Sequence, residues 1–285
     1  MLYFAESAKV NTQSRVFIFG EPMNKKCKGT EGVIEYLLLA TIIPLICVAI
    51  FVFIPAVNNS VFYLPLFGLQ SIAPTLAAII VVTHIYSARG LKAFLKEKYL
   101  SNISFSVCFL AFVIPLAVML ISKTIAVILQ ETDFAFILPN AKKILIIFWA
   151  LIAEELGWRG YLQERIENRI NIVFTPLIVG VIWGLWHFPY FLSGAMDVPF
   201  VLLILGCVFE SYGYFVITKL AKGNIIPAGI WHFSGNLFIN ILGLNPVDNH
   251  GSKLPYFVMT LTYSMCILCF LVYYRSQTKK RPEIG

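Results

Sequence analysis

Charged residues are scarce in this chain. Asp, Glu, Lys and Arg together make up 13% of it, against roughly 25% in soluble domains. No polar stretch between the apolar runs is long enough to fold separately, so the sequence describes one membrane domain rather than a globular enzyme. The six cysteines (Cys27, Cys47, Cys108, Cys207, Cys266 and Cys269) follow no metal-site or disulfide spacing, and most lie within apolar segments. Thiolate zinc and a disulfide framework are both excluded. The four histidines include no His-Glu-x-x-His run. No internal repeat of the kind that marks many transporters is visible either.

What fills the space is hydrophobic: 59% of residues, with a mean hydropathy of +0.80. Apolar runs near the ~20 residues that cross a bilayer fall at 33–57, 61–86, 103–129, 142–162, 173–193, 198–218, 225–243 and 254–274. The fold class is therefore an all-α polytopic membrane protein, with about eight transmembrane helices bundled around an intramembrane polar cavity. Residues 33–275 form the domain, 1–32 a poorly ordered N-terminal tail and 276–285 a second tail. Met23 opens a typical membrane-protein start, Met-Asn-Lys-Lys, which makes 1–22 an upstream extension. The region before 33 is not a signal peptide, because a span-length segment without a cleavage site follows it.

The formal charge of +7 does not point to nucleic acid, since the basic residues are scattered among short loops and ends. They gather in the N-terminal tail, in 87–102, in 163–172, at Lys219 with Lys222, and in the C-terminal tail. Lys142, Lys143 and Lys253 stand on the other side. By the positive-inside rule both termini are cytoplasmic in a multi-pass protein of the cell membrane. Ala88–Leu100, with Arg89, Lys92, Lys96 and Lys98, reads either as a basic amphipathic helix on the inner leaflet or as a solvated loop.

Against this background, the side chains that need an explanation are Glu154 and Glu155, side by side inside the apolar run Leu145–Leu162. A carboxylate at membrane depth costs roughly 2.5–3.5 kcal/mol on insertion scales, so the pair needs partners, water or a task. His187, Glu210, and His232 with Asn236 are the other polar groups at depth. Glu155 and His187 are equidistant from residue 171 in the turn-like Asn168–Asn171, each about 24 Å away at 1.5 Å per residue. His232 lies about 10 Å and Glu154 about 12 Å from the inner membrane boundary, near Ile225 and Leu162, by the same rise. Asn236 shares a helix face with His232. Neighbouring glutamates diverge by about 100° on a helix. Arg159, four residues after Glu155, neutralises that one and leaves Glu154 reactive.

Each group also has a plainer reading. The glutamates with Arg159 can be a structural ion cluster, His187 beside Trp186 and Pro189 an interface residue, and His232 with Asn236 interhelical glue. Glu210 fits a supporting or cavity role. His84 and His250 belong to loops or span ends, and Trp149, Trp158, Trp183, Trp186 and Trp231 mostly to packing.

The ordered set Glu154-Glu155-x-x-x-Arg159, Trp183-x-x-x-His187 and His232-x-x-x-Asn236 resembles the CPBP family. This family comprises type II CAAX prenyl proteases and bacterial relatives that include bacteriocin-processing and self-immunity proteins. The resemblance covers roughly residues 140–245, and Trp183 stands where the family more often has Phe. It implies an intramembrane endopeptidase whose site opens to the cytoplasm, acting on a membrane-tethered peptide or lipidated protein among membrane lipids. Glu154 would activate water with help from His187. His232 and Asn236 would stabilise the oxyanion, while Glu155 and Arg159 hold the site and Trp183 and Glu210 support it. Family members are labelled metalloproteases, and Glu154, His187 and His232 could form a zinc set. Metal-free glutamate catalysis accounts better for Asn236, so no cofactor is expected. The alternatives are a non-catalytic bacteriocin-immunity or scaffold protein and, with less support, an ion-coupled transporter using Glu154, Glu155 and Glu210.

Overall fold

A computed structural model describes residues 32–279. The N-terminal tail, the 1–22 extension and most of the C-terminal tail lie outside them. The described residues form α-helices α1 (Val33–Phe53), α2 (Tyr63–Leu100), α3 (Phe105–Ile128), α4 (Ala141–Ala153), α5 (Gln163–Glu167), α6 (Phe174–Trp186), α7 (Phe188–Leu192), α8 (Phe200–Leu220), α9 (Ile226–Ile241), α10 (Leu254–Tyr263) and α11 (Met265–Lys279). No strand occurs among them. A π-helical segment, Leu156–Leu162, lies between α4 and α5.

Six stretches are long and apolar enough to cross a membrane: Val33–Phe53, Tyr63–Leu100, Phe105–Ile128, Phe174–Leu192, Phe200–Leu220 and Leu254–Gln277. They turn large side chains such as Ile34, Ile46, Phe105 and Phe109 outward, as lipid-facing helices do. This is a multi-pass all-α membrane protein.

The two remaining apolar runs, 142–162 and 225–243, differ from the expected spans. The first is not one continuous α-helix. It breaks at Glu154 (φ −123°, ψ −34°) and resumes with π geometry. The second, α9, has 16 residues. Both carry site residues: α4 packs on α2 and α9 but turns Ile144, Leu145, Phe148 and Ile152 outward, whereas α9 packs on α3 and α4 and exposes no side chain. For α9, contact with other helices replaces contact with lipid. Close approach makes this packing possible. A Cβ on Gly157 would lie 2.4 Å from the Pro74 carbonyl oxygen, and one on Gly229 would lie 2.4 Å from that of Leu151. Only glycine fits at either contact.

α2 is interrupted at Ser87 (φ 64°, ψ 177°). The stretch after the kink is helical, which decides between the two readings of Ala88–Leu100. It does not simply lie on a surface, however. Lys98 is only 1% exposed and is held by Glu97 at 3.0 Å and by Glu164 of α5. Nearby, Gln163 donates to Thr218 at 2.9 Å and Asn224 to the Ser101 carbonyl. These bonds close the end of the bundle where α1 begins and α11 ends.

Candidate active site

The break at Glu154 gives the two glutamates separate surroundings. The Glu154 carbonyl accepts from the backbone N–H of both Gly157 and Trp158, which turns the chain tightly just where the side chains diverge. Glu155 is 1% exposed and points into the protein. Arg159 Nη1 lies 3.1 Å from its Oε2, and His232 Nδ1 donates to its Oε1 at 2.8 Å. The Arg159 guanidinium, itself 1% exposed, lies over the rings of Tyr214 (3.7 Å) and Trp183 (4.3 Å). Burying an Arg–carboxylate pair is costly unless its remaining donors are accommodated, and two ring faces partly serve that purpose here.

Glu154 has a different shell. Its Oε2 accepts from two indoles, Trp158 Nε1 at 3.1 Å and Trp183 Nε1 at 2.9 Å. No hydrogen bond from the described residues engages Oε1. One oxygen is anchored, and the other remains able to take a proton.

Trp183 is the centre of the arrangement. Its indole N–H holds Glu154, and its backbone carbonyl accepts from His187 Nδ1 at 2.8 Å. Its ring packs edge-on to His187 (5.7 Å) and His232 (5.9 Å). Because a carbonyl can only accept, His187 carries its proton on Nδ1, leaving the Nε2 lone pair free when the ring is neutral. His232 likewise presents Nδ1–H to Glu155, so its Nε2 can donate only as the imidazolium. The Glu155 carboxylate stabilises that form, as in any buried acid–histidine pair.

Glu154, Trp183, His187, Glu210, His232 and Asn236 all line one cavity of about 410 Å³. The sequence-predicted residues are therefore brought together, with two exceptions. Glu155 and Arg159 do not line the cavity and stand behind its wall. Glu210 lies along the side, its Oε2 accepting from Trp231 Nε1 at 3.3 Å. The resemblance implied that the cavity opens to the cytoplasm. Glu154, His232 and Tyr214 form its inner end. Its mouth is at Lys143, Ala195, Asp197, Asn245 and Val247, at the opposite end of the bundle.

The indoles of Trp158 and Trp183 are more than packing. For Trp158 a signal existed: it follows Glu154 by four residues, the same spacing that ties Arg159 to Glu155. Trp149, Trp186 and Trp231 also spend their N–H groups on bonds, to Gly68, Ala40 and Glu210. His84, placed at a span end, pairs with Glu35 at 3.0 Å. Zinc would need three convergent side chains. Among the described residues no three His, Cys, Asp or Glu groups gather to hold an ion.

Fold and site together define a polytopic membrane protein with an acid–histidine cavity sunk between its helices. Residues 137–238 match the family model described as Type II CAAX prenyl endopeptidase Rce1-like. Among similar proteins is Lysostaphin resistance protein A of Staphylococcus haemolyticus, 32% identical over 133 residues, or 42% of this chain and 34% of the relative. Its Staphylococcus epidermidis counterpart is 30% identical over 134 residues, 42% of this chain and 32% of the relative. CAAX prenyl protease 2 of Methanococcus maripaludis is 34% identical over 56 residues, 20% of this chain and 21% of the relative. The chain thus matches about a third or less of the length of these relatives.

Proposed function

We propose that the chain is an intramembrane endopeptidase of the CAAX-protease-like type, acting on a membrane-associated peptide or protein. The observation that carries this reading is Glu154: one oxygen is fixed by two indoles, the other is unbonded, and the carboxylate shares a cavity with His187, His232 and Asn236. In the proposed reaction Glu154 Oε1 takes a proton from a water that His187 Nε2 helps to orient. The resulting hydroxide attacks the carbonyl carbon of the scissile amide. Negative charge develops on the carbonyl oxygen, where the His232 imidazolium and the Asn236 amide donate to it. Glu154 then returns its proton to the amide nitrogen, the C–N bond breaks, and a carboxylic acid and an amine leave. Glu155 orients His232, and Arg159 holds Glu155 in place. No metal takes part.

A Glu154→Gln variant keeps the indole contacts with an amide oxygen and loses the base. Cleavage is expected to fall by at least about 10²-fold, the lower end of general acid–base contributions. Cells carrying it should accumulate an uncleaved membrane-associated precursor in a proteomic comparison with wild type. Wild-type processing by Glu154→Gln, or loss of processing on chelation by the purified wild-type protein, would overturn the mechanism. The similarity to Lysostaphin resistance protein A favours a second reading, a resistance protein that works by binding a partner. Protection of cells that survives Glu154→Gln together with His232→Ala would establish that reading instead.

A further inference from the structure

Access to the cavity is one-sided. Its mouth is formed at the loop after α7, the loop after α9 and the first turn of α4, where Ala195, Asp197 and Val247 are exposed. The other end is shut. Between Glu154 and that surface lie the buried side chains of Leu162, Gln163 and Ile225. Below them the Lys98–Glu164 pair, the Gln163–Thr218 bond and the Asn224–Ser101 bond tie α2, α5, α8 and the start of α9 together. Nothing reaches Glu154 from this end without breaking that layer.

The two ends also differ in charge. The shut end carries Arg89, Lys92, Lys98, Arg165, Arg169, Lys219 and Lys222 beside Glu35, Glu97, Glu164 and Glu167, and α1 begins there shortly after Lys25, Lys26 and Lys28 in the sequence. The open end carries Lys142, Lys143 and Lys253 beside Glu131, Asp133, Asp197 and Asp248. Lys and Arg in short loops mark the cytoplasmic side, whereas acidic residues carry little topological weight. The shut end is the cytoplasmic one.

We propose that the cavity opens on the extracytoplasmic side of the membrane. The substrate of Glu154 is then an extracytoplasmic segment of a membrane-anchored polypeptide, not a cytoplasmic tail. The substrate part rests on the proteolytic reading above, but the direction of opening does not.

The test places single cysteines in a chain whose native cysteines are replaced by serine or alanine: Val247→Cys at the mouth and Lys222→Cys at the shut end. A membrane-impermeant polyethylene-glycol maleimide applied to intact cells should shift the mass of the Val247→Cys protein. It should leave Lys222→Cys unmodified until the membrane is permeabilised. The reverse pattern overturns the proposal. Should the cysteine-free chain not fold, fusions at the C-terminus of the unaltered chain read the same orientation. A fluorescent cytoplasmic reporter supports the proposal, and an active alkaline phosphatase fusion overturns it. If labelling is as expected but Glu154→Gln cells accumulate no precursor, the opening stands and the protease reading fails. If a precursor accumulates, its scissile segment should be cut by protease added to intact cells. A segment protected there and cut only after permeabilisation overturns the substrate assignment.

Discussion

Glu154 and Glu155 are consecutive residues that share no side-chain partner. Glu155 faces a guanidinium and an imidazole, and Glu154 faces two neutral indole donors. The choice of partners matters for chemistry. Arg159 and His232 contact both oxygens of Glu155, whereas the indoles engage only Oε2 of Glu154 and leave Oε1 able to take a proton. The two indoles should act as a unit. Trp183→Phe or Trp158→Phe alone leaves one donor on Oε2, and a hydrogen bond to a charged group is worth about 1.5–3 kcal/mol. Each single variant should therefore retain weakened cleavage. The double variant leaves Oε2 buried without a donor and should lose more than the sum, by a coupling of about 0.5–3 kcal/mol. A double-mutant cycle on kcat/KM measures this, and strict additivity would mean that the indoles only pack. At this scale much was legible. Four-residue spacing pairs Glu155 with Arg159, and depth arithmetic brought Glu154, His187 and His232 to one level. The central role of Trp183 was not visible, because it depends on two bonds in different directions, one from the ring and one to the backbone carbonyl, that no spacing encodes.

At the scale of elements, the hydropathy runs located every helix that faces lipid, because lipid contact requires a long uniform apolar surface. They also located α4 and α9, but not the break at the end of the first or the shortness of the second, because a helix that packs on other helices need not be continuous or long. The break at Glu154 has no proline or glycine at its own position to announce it, and the glycine that permits it, Gly157, is three residues on. Gly157 lets the π segment lie against α2 at the Pro74 carbonyl. Gly157→Ala puts a methyl group 2.4 Å from that oxygen, so the segment must move away. Overpacking of this kind costs about 1–3 kcal/mol. The shift also moves Trp158 off Glu154, so cleavage should fall together with the melting temperature of the purified protein. Gly229→Ala pushes on the same wall from α9 through Leu151, yet leaves the Trp158 bond in place. It should lower stability with a smaller loss of activity. Equal losses from both substitutions would mean that the π segment has no separate part in positioning the base.

For the molecule as a whole, the open and shut ends present different problems. The open end needs only a rim that substrate can pass, whereas the shut end must exclude water beneath a site that works through weakly screened charges. Lys98 answers the second need in a way composition could not reveal. It belongs to a run of basic residues that looks uniformly solvated, and the kink at Ser87 turns this one member inward onto Glu164. Its burial is nearly complete, while the Glu164 side chain is 42% exposed. The two partners should therefore respond unequally to removal. Lys98→Met keeps the length and the apolar stem, removes the charge, and leaves Glu164 partly able to reach water. Its cost should be moderate, about 1 kcal/mol, near the upper end for exposed pairs. Glu164→Gln leaves the Lys98 ammonium buried with only Glu97 to balance it. It should cost more, toward the roughly 3–5 kcal/mol expected when a buried charge loses its main partner. Combining the two removes the stranded charge, so the double variant should be more stable than Glu164→Gln alone. Thermal unfolding of the three purified variants decides this. If Lys98→Met does not rescue Glu164→Gln, the pair is not what holds the shut end together, and the bonds of Gln163 and Asn224 must carry that role.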